Sequence, residues 1–220
     1  MRDVSGNFND SPNMKKLSLL LLILTHFSCK EKKNDNDIAN DNPPIINPSL
    51  KSDTLSWIEN FRDFRNSIYT NNREKVKRFI DFPILNYNNE IWYLASGDDE
   101  KVISKLSDEI EPFTEKDFDK YFENLFPKRF INAILKIKTE ELYKKLDVET
   151  TEFREGNSTT YKMYATFDKA KQKLTLNLAS KTVHKDEHGE VLDGGEYNVA
   201  YIFDILKNGQ IKFKQVRLAG

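Results

Sequence analysis

His184, Glu187 and His188 come nearest to a reactive set by residue type and spacing. In a His-x-x-Glu-His string, two imidazoles one helical turn apart can share a zinc ion while the glutamate activates water. That chemistry requires a helix. Here the string follows an alternating apolar segment and runs into Gly189, with Gly194-Gly195 just beyond. It therefore reads as a solvated hairpin loop. A third ligand would have to come from another helix, and the chain after His188 reads as strands and turns. No metal or other cofactor is expected, and His184 and His188 are the metal candidates if any exist.

General acid–base chemistry needs a carboxylate in an apolar enclosure, where burial raises its pKa toward neutrality. Asp81, between Ile80 and Phe82, is the first catalytic candidate, and Glu90, near Trp92-Tyr93, is the second. Just ahead of Pro83, Asp81 also fits a plain turn or capping carboxylate. Tyr161, Tyr164, Tyr197 and Tyr201 are cavity candidates as hydrogen-bond donors. Tyrosines on strands also serve as core residues with the hydroxyl at the rim. Ser158 and Ser180 carry no sign of activation, so covalent catalysis is not expected. No helix start follows Gly194-Gly195 to hold a phosphate.

The elements that must position these groups change character midway. Trp57, Phe61, Phe64 and Ile68 form the stripe of an amphipathic helix, broken at Asn71-Asn72. Val76, Phe79 and Ile80 predict a shorter second helix stopped by Pro83. Ile84 to Leu94 is apolar but irregular, and Gly97 to Glu100 reads as an exposed turn. Thr114 and Asp117 make a capping box ahead of the face Phe118, Tyr121, Phe122, Leu125 and Phe126. Pro127 opens a further helix carrying Phe130, Ile131, Ile134 and Leu135. Glu140 to Leu146 continues it or forms another short helix.

From Val148 the period is two. Tyr161, Met163, Ala165 and Phe167 alternate with Thr160, Lys162, Tyr164 and Thr166, Leu174, Leu176 and Leu178 with Thr175, Asn177 and Ala179, and Tyr197, Val199, Tyr201, Phe203 and Ile205 keep the same period. Asn208-Gly209 marks a tight turn. In the last run Ile211 and Phe213 give way to Val216 and Leu218, so one extra residue near Lys214 or Gln215 predicts a β-bulge. Helices first and an antiparallel meander afterwards define an α+β fold.

Composition excludes one class of partner. The 220 residues carry 34 basic and 35 acidic side chains, without the strongly basic face that nucleic acid requires. The N-terminus has its own pattern: Met14-Lys15-Lys16, the apolar run Leu17 to Leu24, and Cys29, the only cysteine. A basic start and a short apolar stretch describe a cleaved signal peptide, and the stretch is too short to span a bilayer. With Cys29 at the cut, this segment resembles the lipobox of bacterial lipoproteins. The resemblance implies acylation of Cys29, palmitate included, and stable membrane attachment. Residues 1–28 are then the signal, with 1–13 a misassigned start if Met14 is the initiator. Their removal takes away Arg2, Lys15 and Lys16 against Asp3 and Asp10, leaving 31 basic and 33 acidic residues. Lys30 to Asp35 resembles the charged export tether of Bacteroidetes-type lipoproteins, which implies the outer membrane, at its periplasmic face or the cell surface. Residues 29–52, rich in Asn, Asp, Pro and Ser, read as the lipidated cysteine and a flexible tether. Residues 53–220 read as one domain.

The segments Trp57 to Arg65, Phe79 to Ile84 and Pro112-Phe113-Thr114 are similar to those of secreted lipoproteins with the nuclear transport factor 2-like fold. That fold is a curved sheet wrapped around helices to form a cone. A cystatin-like sheet on one helix is the rival, and the several helical segments argue against it. The fold hosts isomerases, dehydratases and non-catalytic modules alike. The expectation is a lipid-anchored binding or assembly module of the cell envelope without catalytic activity. Its partner would be an envelope protein or a small ligand. The alternative is a small-molecule isomerase or lyase using a cavity carboxylate.

Overall fold

A computed structural model describes residues 53–220, apart from Asp98, Asn157, Asp186 and Gly189. The signal segment, Cys29 and the tether expected at 29–52 lie outside the described residues.

Helix α1 (Asp53–Tyr69) buries Trp57, Ile58, Phe61, Phe64 and Ile68 along one stripe. It stops at Asn71, whose φ of 52° lies in the left-handed region that asparagine tolerates. Asn72 then caps α2 (Arg73–Lys77), its side chain accepting from the Lys75 N–H at 3.0 Å. This helix is shorter than its apolar spacing predicts. Phe79 and Ile80 leave it to run beside the last strand, where the Phe213 N–H donates to the Phe79 carbonyl at 2.7 Å and Ile80 pairs with Phe213 in parallel. Pairing with an open strand edge, not Pro83, ends the helix.

The stretch read as irregular contains a helix. Ile84 pairs with Phe113, two left-handed asparagines follow at Asn88 and Asn89, and α3 (Glu90–Ser96) begins there. Buried Asn89 donates to the carbonyls of Ser107 and Glu109 and accepts from the Glu111 N–H, at 2.8–3.1 Å. One amide thereby holds the segment that follows α4 (Glu100–Ile103). The capping box of Thr114 and Asp117 forms as expected and starts α5 (Glu115–Leu125). Helix α6 (Lys128–Leu135) starts behind Pro127, and α7 (Thr139–Lys145) is a separate short helix. Among the described residues, no helix is long and apolar enough to cross a membrane.

Six strands follow: β1 (Asp147–Glu149), β2 (Phe153–Glu155), β3 (Thr159–Asp168), β4 (Lys173–Lys185), β5 (Val191–Ile205) and β6 (Ile211–Ala219). They form one antiparallel sheet in the order β1-β3-β4-β5-β6, with β2 on the same edge of β3 as β1. Helices and a segregated antiparallel sheet make this an α+β fold. The predicted slip is present. Ile202 faces Gln215 while Phe203 faces Phe213, so Lys214 is the extra residue of a bulge.

Strand register stacks the inward residues in rows across the sheet. Phe167, Leu174, Phe203 and Phe213 form the deepest row, and Ala165, Leu176, Tyr201 and Val216 the next. Both rows are buried under the aromatic faces of α1, α5 and α6. Phe126 sits at the centre, its ring 5.5–6.5 Å from those of Phe64, Phe118, Phe122, Phe130, Tyr201 and Phe213.

The outer edge of β6 is closed by groups from outside the sheet. The Val216 N–H donates to Asn86 Oδ1 at 2.7 Å, and the Leu218 N–H reaches Glu90 Oε1 at 3.5 Å. An open edge with free N–H groups would invite pairing with another chain. Here side chains of the Asn86–Glu90 segment take the place of a further strand.

Candidate functional site

The inward face of the sheet is longer than its helical cover. Beyond the buried row of Met163, Leu178 and Val199, the register continues to Tyr161, Ser180 and Tyr197, and then to Thr159 and Thr182. These last two rows line a cavity of about 250 Å³, closed on the helical side by Leu94 of α3 and Arg129 of α6. Leu178 and Val199 make its apolar floor.

The polar groups in this mouth differ in how far they are committed. The Ser180 hydroxyl donates to the Tyr197 carbonyl at 3.0 Å, and the hydroxyls of Thr159 and Thr182 meet at 3.3 Å. Arg129 makes no ion pair or hydrogen bond among the described residues, and neither do the Tyr161 and Tyr197 phenol groups. Helix position sharpens the point. Lys128 and Arg129 occupy the first turn of α6, which holds no acid and whose N-cap makes no side-chain hydrogen bond. Cations there oppose the helix dipole, where an anion would be stabilised. The Tyr197 hydroxyl is held above the ordinary phenol pKa chiefly by burial, with Arg129 pulling it back and Glu90 pushing it further. It is therefore a neutral donor at physiological pH.

The expected site residues separate into those the fold brings together and those it does not. Tyr161 and Tyr197 do line the cavity. Tyr201 lies deeper, wholly buried, its hydroxyl donating to the Leu125 carbonyl at 2.8 Å. Burial raises its pKa well beyond the usual phenol range, so it is a core residue with a satisfied hydroxyl. Tyr164 lines a different concavity, of about 200 Å³, with Thr160, Lys162 and Asn198. It alternates with Met163 and Ala165 and so projects from the opposite face of the sheet, exposed, with Lys162 against its ring.

Asp81 does not face a cavity. Ile80 and Phe82 turn inward from an extended segment, and period-two alternation sends the residue between them outward. Its carboxylate pairs with Lys212 at 2.8 Å and Lys214 at 3.2 Å, the two residues flanking Phe213. Hydrogen bonding from Lys212 first, then from Lys214, holds the Asp81 carboxyl below its ordinary value. The sign of the linkage follows. A depressed folded-state pKa adds stability above the unfolded value of about 4, and that stability is lost as pH falls through the depressed one. Asp81→Asn is expected to lower stability at pH 7 by about 0.5–1 kcal/mol, as for an exposed pair. The difference should close in acid as the pH falls through the depressed value, and urea midpoints across an acid pH series check it.

Glu90 is mostly buried but occupied. It accepts from the Asn86 amide at 3.4 Å and the Leu218 N–H, and Arg217 stands 3.7 Å away. It closes a strand edge and does not line the mouth. His184 and His188 are both exposed, His184 at the end of β4 and His188 in the turn after it. The His184 ring lies across Gly194, where an added Cβ would come within 2.6 Å of it. The helical spacing on which shared metal binding depends is absent from this pair, and no group of three or more potential metal ligands exists among the described residues.

Arg129 is the residue that reading the chain for reactive types misses. Its signal was a pair of cations directly after Pro127, at the end of a helix where acids are favoured. Another concavity, about 450 Å³, lies between the end of α1 and the start of α6, walled by Tyr69, Phe122 and Ile131. No family model matches the chain, and no curated protein matches it.

Proposed function

We propose that this chain is a lipid-anchored binding module of the cell envelope, built as a nuclear transport factor 2-like cone, and that it holds its ligand without transforming it. One observation carries the reading. The mouth of the inward sheet face combines a cation, two phenols and an apolar floor, and its lining contains no carboxylate or imidazole. Such a set can orient a ligand but offers no group to shuttle a proton at neutral pH. The hydroxyls in this mouth have no base among its lining residues to activate them: Ser180 donates to a backbone carbonyl, and Thr159 and Thr182 meet each other. The bent last strand and the helical layer support the cone. The Cys29 motif supports acylation and an outer-membrane address, at the periplasmic face or the cell surface.

The test is recovery of whatever the protein carries. The full chain, extracted from membranes in mild detergent, is expected to show a non-covalently bound small molecule by native mass spectrometry. That molecule should survive repeated release and rebinding at unchanged mass. A mass change on incubation (a lyase), or a changed retention time or NMR spectrum at constant mass (an isomerase), would overturn the non-catalytic reading. Labelling with a palmitate analogue should mark the wild-type chain and not Cys29→Ala.

A further inference from the structure

We infer that the mouth between Arg129 and Tyr197 selects a small carboxylate with a compact apolar body, its carboxylate on the Arg129 guanidinium and its body on Leu178 and Val199. The inference rests on the binding-module reading and adds the chemical class of ligand. Three observations support it.

The first is charge without a partner. Arginine is always ionised and offers five donors in a fork that matches a carboxylate. Arg129 has no anion among the described residues, although the chain pairs many of its surface cations, Lys77 with Glu74, Glu115 and Asp119 among them. The second is the helix start. Lys128 and Arg129 add positive charge to the dipole end of α6, and no acid of that turn offsets it. The third is size and surface. A volume of about 250 Å³ sits just below the usual range of ligand pockets, roughly 300–1,000 Å³. That suits a single ring or a short branched chain.

Glu90 is the carboxylate nearest to opposing this choice, since it acts on Tyr197. Its charge is already met by Arg217, the Asn86 amide and the Leu218 N–H. The Thr159–Thr182 hydroxyl pair and the Ser180 hydroxyl are satisfied internally, so they neither demand nor repel an anion. What remains uncommitted at the rim is the guanidinium and two phenol donors, which together favour an acceptor-only head group.

Benzoate, benzamide and benzylamine, of one shape and three charges, serve as probes for isothermal titration of the full chain stripped of carried ligand. Benzoate is expected to bind, benzamide to bind at least about tenfold more weakly, and benzylamine not to bind. Arg129→Ala should weaken benzoate by about 10- to 100-fold, the loss expected for a charge-assisted pair, and leave benzamide unchanged. Arg129 is exposed, so this variant tests charge and not folding. Equal affinity for benzoate and benzamide would overturn the carboxylate class while leaving the binding-module reading standing. Ser180→Trp, which fills the mouth, separates the two. If it leaves binding of every probe intact, the site itself is misplaced and the reading of this mouth fails with it. No binding of benzoate at millimolar concentration also overturns the inference.

Discussion

Phe126→Ala is expected to lower the unfolding free energy by about 3–5 kcal/mol, the range for removing a buried phenylalanine ring. The ring is 2% exposed and lies within 6.5 Å, centroid to centroid, of rings from α1, α5, α6, β5 and β6. Phe126 also occupies the residue after α5, with φ of −123°, where the chain turns toward Pro127. Neighbours from five elements cannot all collapse into the same cavity, which places the loss high in its range. For a domain whose total stability is about 5–15 kcal/mol, such a change leaves a small margin. Urea denaturation measures it, and a loss below about 1.5 kcal/mol would mean the aromatic cluster repacks freely.

The second large effect is polar. Asn86→Leu is expected to destabilise the fold by about 2–4 kcal/mol, although leucine is similar in size and more apolar. Asn86 is fully buried, and its Oδ1 accepts the Val216 N–H at 2.7 Å. Its Nδ2 donates to the Tyr87 carbonyl at 3.0 Å and toward Glu90. Leucine would leave a buried strand N–H without an acceptor, at about 1–3 kcal/mol, and remove one of the donors to the Glu90 carboxylate. Hydrogen exchange gives the signature. The Val216 amide should exchange far faster in the variant, while amides of the deep rows such as Leu176 keep their protection relative to global unfolding. Unchanged Val216 protection would show that another acceptor serves that edge.

These two residues also show where the sequence is legible and where it is not. Phe126 belongs to an apolar face that helical spacing identifies directly, and the strands from Tyr161 onward follow their alternation. The bulge at Lys214 was readable too, because one extra residue shifts the phase of every inward side chain after it. Asn86 carries no such mark. Its partner lies 130 residues away, and only the completed sheet reveals that Val216 needs an acceptor. The helix at Glu90–Ser96 was hidden because Asn88 and Asn89 start it from left-handed backbone, not from a helix-start pattern.

The candidate site was legible in half. Tyr161 and Tyr197 follow from strand parity, and the same parity puts Tyr164, which alternates with residues assigned to the core, on the other face of the sheet, where it lines a different concavity. Asp81 misled because two apolar neighbours suggest burial, whereas in an extended segment they guarantee that the residue between them points away. Arg129 is hard to read because two adjacent basic residues in a chain rich in charge look like ordinary surface. Its meaning appears only when α6 places it over the uncovered end of the sheet.

The proposed binding site is this uncovered end and not the larger concavity beside Tyr69. A crystal structure of the full chain, purified from membranes with its carried molecule, tests this placement. Density is expected between Arg129 and Tyr197, over Leu178 and Val199. Density beneath Tyr69 and Ile131 with an empty mouth would contradict it.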